Sequence, residues 1–176
     1  MRLFVALDLP LPTRAALAAW TAAAAPPELR RVPAANMHLT LVFLGTRSED
    51  EAARVAEALV ARKRRRLGLL HTAGALWLPP RRPGVLAVTL RDDPELTMFQ
   101  REFTNALDAA IGVAPDRHAF RPHVTVARVP RRTRFDRRLY PFCPEFSFRA
   151  PTLTLYRSLN GPDGVQYEPL TQVVTG

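Results

Sequence analysis

Two short stretches of the chain place a histidine and a threonine two residues apart inside an apolar run. They are "NMHLTLVFLG" (36–45), with His38 and Thr40, and "RPHVTVARVP" (121–130), with His123 and Thr125. Side chains alternate across a strand, so each His shares a face with its Thr, while Leu39 and Leu41, or Val124 and Val126, take the opposite face. A single histidine on a strand is commonly a partly buried core residue; the same pattern repeated in the other half of the chain is poorly explained that way. Imidazole titrates near neutral pH, so two of them suit a reaction that takes one proton and gives another in the same displacement. Opening of a phosphodiester is such a reaction. A base deprotonates the attacking water, an acid protonates the departing oxygen, and the two stand roughly in line on opposite sides of phosphorus. The threonine hydroxyls then donate to non-bridging oxygens and stabilise the developing charge. A zinc site on His38 and His123 lacks a third and fourth ligand at suitable spacing.

These strands need a frame. "RLFVALDL" (2–9) reads as a strand, followed by an Ala-rich helix over 13–24 that Pro26 and Pro27 end. The first histidine strand is expected over 37–44. Ser48, with Glu49, Asp50 and Glu51 behind it, caps a helix running to about 63, with Ala52, Val55 and Leu59 on one face. Strands over 67–78 and 84–90 flank the turn-forming "PPRRPG". Asp92 or Asp93 caps a helix over 94–111 whose apolar face carries Leu96, Phe99, Phe103, Ala106, Leu107 and Ala110. The second histidine strand covers 122–129, and strands over 146–157 and 165–174 flank the turn "NGPDG" (160–164). Neither a dinucleotide-binding glycine motif nor a phosphate-binding P-loop is present. Short connections favour antiparallel pairing, an α+β pattern. The expectation is one two-lobed domain over 1–176: two pseudo-symmetric lobes of antiparallel β-sheet, with outer helices, around a central cleft to which each lobe brings one His and one Thr.

A length of 176 residues and a hydrophobic content of 47% suit one sizeable core. The Ala-rich run at 15–25 is too short and too weakly apolar to span a bilayer, so no membrane association is expected. Because Met1 leads straight into a strand, a cytoplasmic location is expected, and no coiled coil argues against a monomer. A lone Cys143 forms no internal disulfide and reads as a small packing residue. The net charge is +9, and Lys63 is the only lysine beside 24 arginines. Arginine forks match phosphate oxygens, which favours a polyanion such as RNA; a general bias toward Ala, Arg and Pro explains the excess equally well. The clusters "RKRRR" (62–66) and "RRTRFDRR" (131–138) carry the same two readings. His71 and His118 fit neither motif and are expected at the surface.

Together, "RLFVALDLP", "NMHLTLVFLG", "FRPHVTVARV" and "LYRSLNGPDGVQYEPL" resemble the RNA 2′,3′-cyclic phosphodiesterase family, also called the 2′-5′ RNA ligase family, of two-histidine phosphoesterases. The resemblance runs from Arg2 to about Leu170. It implies hydrolysis of a 2′,3′-cyclic phosphate at the end of an RNA or oligonucleotide to a 2′-phosphate, with no metal or other cofactor. It implies His38 as the general acid that protonates the departing 3′ oxygen, and His123 as the base that activates water. Thr40 and Thr125 would hold the phosphate, Arg128 would add positive charge, and Phe4 and Tyr156 would wall the cleft against ribose or base. Many relatives carry Trp, then Gly two residues later, where Ala87 and Thr89 stand here, so base or chain-length preference is open. Activity on 2′-5′ linkages, RNA ligation and a non-catalytic RNA-binding role are the other readings. Two titratable groups at matched positions argue against the last.

Overall fold

The computed structural model describes residues 1–63, 65–80, 82–113, 118–130, 133, 143, 145–161 and 164–175. The chain lays down each histidine strand by one plan: a strand, a helix, then the histidine strand returning antiparallel beside the first. β1 (Arg2–Asp8), α1 (Leu11–Ala24) and β3 (His38–Thr46) form one such unit, with the two-residue β2 (Arg30–Arg31) and a 3₁₀ turn (Ala34–Asn36) on the way. After α2 (Glu49–Val60) and β4 (Leu70–Leu78), the plan repeats as β5 (Val85–Leu90), α3 (Pro94–Ile111) and β6 (His123–Arg128). β7 (Ser147–Phe148), β8 (Thr152–Gly161) and β9 (Gly164–Val174) complete the sheet.

The nine strands among the described residues form an antiparallel sheet in the order β7-β4-β5-β6-β3-β1-β8-β9, with β2 paired to β6, and three helices complete an α+β fold. β1 lies between β3 and β8, and nearly every residue is buried because Leu3, Val5 and Leu7 join the main core on one face while Phe4 and Ala6 pack with Tyr156 on the other. The halves of the sheet meet where β3 pairs with β6, at Leu39 opposite Val124. Both side chains are fully buried, joining a core that includes Leu7, Leu17, Leu59, Leu86, Phe103 and Leu153.

Most elements lie where the sequence places them. α1 begins at Leu11 rather than 13, because Pro12 falls in the first turn, where its missing N–H costs nothing. α2 has the full capping box: Glu51 N–H donates to Ser48 Oγ at 3.1 Å and Ser48 N–H to Glu51 Oε2 at 2.8 Å. In α3, Asp93 accepts from Leu96 N–H at 2.8 Å, and Gly112 ends the helix left-handed at φ 65°. Thr104, not Ala106, completes its buried face; the neighbouring Gln100 donates to the Leu41 carbonyl and so ties α3 to β3. The strand expected over 146–157 splits into β7 and β8 around Pro151, which has no N–H for a ladder. Cys143 is buried, and burial pushes its thiol up to about 11. The cluster at 131–138 lies, apart from Thr133, outside the described residues. Among the described residues no helix is long and apolar enough to cross a membrane.

Leu39→Ala removes a fully buried side chain at the join between the half-sheets, and a loss of about 3 kcal/mol in urea-unfolding free energy is expected. Ser48→Ala removes only a helix cap and should cost about 1 kcal/mol in the same measurement.

Candidate active site

The Leu39–Val124 pairing dictates the geometry of the site. Continuing that register sets His38 opposite Thr125 and Thr40 opposite His123, all four on the face away from the core. The histidines therefore occupy diagonal corners of a four-residue plaque, and diagonal positions in an antiparallel pair lie about 7–8 Å apart. Phosphate fits between rings at that spacing. All four side chains are half-buried and line one cavity of about 390 Å³.

Each imidazole is oriented in the same way. His38 Nδ1–H donates to the Asn36 carbonyl at 2.9 Å, and His123 Nδ1–H donates to the Arg121 carbonyl at 2.8 Å. A carbonyl only accepts, so Nδ1 carries the hydrogen in both rings, and Nε2 is left to accept or deliver the mobile proton.

The sheet places two further residues by stepping out of alternation. The pairing of β3 with β1 skips Leu41, and that of β6 with β5 skips Val126. Each skipped residue stands three after its histidine, and each reverses the phase of its strand. Phe43 and Arg128, both five residues beyond a histidine, consequently turn to the cleft. Phe43 is 73% exposed at the mouth of the cavity, and Arg128 Nη2 donates to Tyr167 Oη at 3.3 Å.

Beneath His38 lies a buried charge. Asp8, its register partner on β1, is 4% exposed. Its carboxylate accepts from Tyr156 Oη at 2.6 Å, Thr154 Oγ1 at 2.7 Å, Arg14 Nη2 at 3.1 Å and from Thr152 Oγ1. The Phe4 ring lies 4.8 Å from the His38 ring, with Tyr167 edge-on at 5.1 Å. Burial among these groups pushes the His38 imidazole down to about 4; Arg14 and Arg128 add to the effect, while the Asn36 bond and Asp8 oppose it. His38 is therefore neutral at pH 7 in the free protein. Burial, with Asp8 behind it, pushes the Tyr156 hydroxyl up to about 12.

Of the residues singled out from sequence, His38, Thr40, His123, Thr125, Arg128 and Phe4 line the one cavity. Tyr156 does not; it stands behind Phe4, rings stacked at 5.2 Å, with its hydroxyl turned inward to Asp8. Ala87 and Thr89 flank the second motif, opposite Thr125 and His123. His71 is exposed and bonded to Ser147, and His118 is exposed. Asn36, Phe43, Tyr167 and the Asp8–Arg14 pair were not legible. Strict alternation sends Phe43 to the core, and nothing local marks Asp8 as the partner of residues about 146 positions away. Among the described residues no three His, Cys, Asp or Glu side chains form a metal-ligand cluster.

The sequence model of the 2′-5′ RNA ligase superfamily matches residues 9–162. The RNA 2′,3′-cyclic phosphodiesterase of Escherichia coli K12 is 35% identical over 131 residues, covering 72% of this chain and 71% of that one. Among solved structures, TT0787 of Thermus thermophilus superimposes with a TM-score of 0.81 at 26% identity, covering 100% of this chain and 99% of that one. E. coli LigT complexed with 3′-AMP gives 0.80 at 27% identity, with 98% and 97% covered.

A histidine-resolved NMR titration should place the His38 midpoint near 4 in the free protein. Inorganic phosphate should move it upward, because a bound anion favours the imidazolium. A midpoint that phosphate leaves in place would show that His38 does not face the anion.

Proposed function

Since the chain belongs to the 2′-5′ RNA ligase superfamily, we propose that it is a phosphodiesterase that opens a 2′,3′-cyclic phosphate at an RNA end to the 2′-phosphate. The observation that carries this reading is the plaque itself: two imidazoles at diagonal corners, each with Nδ1–H committed to a backbone carbonyl and Nε2 open to one cavity. His123 Nε2 takes a proton from water as its oxygen bonds to phosphorus. The bond from phosphorus to the 3′ oxygen breaks, and that oxygen takes the proton of His38 Nε2. Thr40 and Thr125 donate to the non-bridging oxygens, and Arg128 balances their charge. Both proton transfers are thus assigned to side chains, and the scheme calls on no cation.

The depressed affinity of His38 for a proton fits this sequence of events. Free His38 is neutral, and the incoming phosphate anion raises its proton affinity where the acid is required. Phe4 packs against the His38 ring, and Tyr156, through Asp8 and Phe4, is a positioning residue. Phe43, exposed at the mouth, offers a face for a nucleobase. Because the site draws on β3 and β6 together, residues 1–176 act as one two-lobed unit. A monomer suffices, since one chain supplies the whole plaque. The cytoplasm is the compartment in which RNA ends of this kind would be met.

An oligonucleotide ending in a 2′,3′-cyclic phosphate should be converted to the 2′-phosphate in the presence of EDTA; turnover lost on chelation would overturn the scheme. His38→Ala and His123→Ala should each lower kcat by about a hundredfold or more with little change in product binding. The profile of kcat/KM against pH should be bell-shaped, with an acidic limb near 4 in the wild type, the ionisation of free His38.

A further inference from the structure

Two tyrosines pack on the Phe4 ring, Tyr156 stacked at 5.2 Å and Tyr167 edge-on at 4.9 Å. Their hydroxyls go opposite ways. That of Tyr156 is committed to the Asp8 carboxylate behind the site. That of Tyr167 stays on the cleft side, where its oxygen accepts from Arg128 Nη2 at 3.3 Å. Among the described residues no acceptor takes the Tyr167 O–H itself.

A flat sheet would not allow the contact with Arg128. β9 and β6 stand four steps apart in the order β6-β3-β1-β8-β9, about 19 Å at the usual strand spacing, and side chains rise roughly perpendicular to a sheet. Twist therefore carries β9 round to face β6 across the first histidine strand. Two contacts with that strand hold it there. The Tyr167 ring stands edge-on to the His38 ring at 5.1 Å. Asn36, whose carbonyl accepts from His38 Nδ1, donates through its side-chain amide to the Val165 carbonyl at 3.0 Å, two residues before Tyr167. Tyr167 thus leans on the imidazole of one histidine strand and meets the cation of the other. It lies in the wall between the main cavity and a smaller adjoining one of about 170 Å³, to which Arg30 and Arg31 of β2 also belong.

We propose that Tyr167 is a further catalytic residue, a third hydroxyl donor to the reacting phosphate beside Thr40 and Thr125, sharing one non-bridging oxygen with Arg128. The assignment rests on the phosphodiesterase reading above. A guanidinium carries five N–H donors in a fixed fork, so the one spent on Tyr167 leaves others for the phosphate whose charge Arg128 balances. An oxygen met by that fork lies beside the phenol as well. Donation from the cation draws electron density off the phenol oxygen and strengthens the bond that its own O–H makes onward. The hydroxyl keeps its proton throughout. It stabilises the charge that builds on the phosphate oxygens while His123 takes a proton from water and His38 gives one to the departing oxygen.

The test measures kcat and KM of wild type and Tyr167→Phe on adenosine 2′,3′-cyclic phosphate and on its two cyclic phosphorothioate diastereomers, each with sulfur in place of one non-bridging oxygen. Phenylalanine keeps the ring contacts, so the urea midpoint should not move. On the all-oxygen substrate kcat should fall by about tenfold to a hundredfold, as for a hydrogen bond to a charged group, with KM within about twofold. Sulfur is a weak acceptor, so one diastereomer has already lost the Tyr167 bond. Tyr167→Phe should slow that diastereomer by less than about threefold and the other as much as the all-oxygen substrate. An unchanged kcat, a loss confined to KM, or an equal slowing of all three substrates would each overturn this proposal alone; the last is what a merely structural role would give. A wild type inert toward all three would overturn the phosphodiesterase reading with it.

Discussion

When Leu39 lies opposite Val124, everything else about the site is constrained. The two aliphatic side chains are drawn into the core by the hydrophobic effect, and the period of two then turns His38, Thr40, His123 and Thr125 together to the other face. A slip of one residue in either strand would bury an imidazole and a hydroxyl and expose two aliphatics, so burial itself polices the register. The functional plaque needs no dedicated scaffold. It is the reverse side of the packing that joins the two halves of the sheet.

The matched interruptions of β3 and β6 extend this logic. By stepping over Leu41 and Val126, the pairing swings Phe43 and Arg128 round to the face that carries the histidines. One strand gains an aromatic surface at the cleft mouth and the other a cation. The two strands are thus alike in geometry and different in chemistry, which supports the proposed division of one histidine as acid and the other as base. Asp8 deepens the asymmetry, since a buried carboxylate with four donors lies behind His38. It places a counter-charge near a ring that burial holds neutral in the free protein, and so partly opposes the effect of burial.

The positive charge of the chain divides into separate tasks. Arg47 is a structural clamp, donating to the Leu44 and Ile111 carbonyls and to Glu51. Arg62, in the "RKRRR" cluster, lies over the Phe103 ring at 5.0 Å and joins α2 to α3, away from the cleft lining. Arg14 neutralises Asp8. Arg2, Arg30, Arg31 and Arg128 line the two connected cavities. Among the described residues, the arginines around the cleft therefore come from β1, β2 and β6.

How much of this was legible depended on range. The helices, the His-x-Thr alternation, the Ser48 and Asp93 caps and the buried faces of α2 and α3 are local consequences of periodicity and end chemistry, so the residues themselves announce them. Tyr156 was legible as an aromatic strand residue, but its place behind Phe4 was not, because only the pairing of β1 with β8 decides it. Amino-acid order by itself determined that two imidazoles, each with a hydroxyl beside it, would stand on strand faces opposite an apolar core. Tertiary structure alone decided that those strands would be neighbours, that Phe43 and Arg128 would turn inward, and that Arg30 would come to rest across from Arg128. Strand order, register and interrupted alternation are settled by contacts between distant segments, and no local window of sequence contains them.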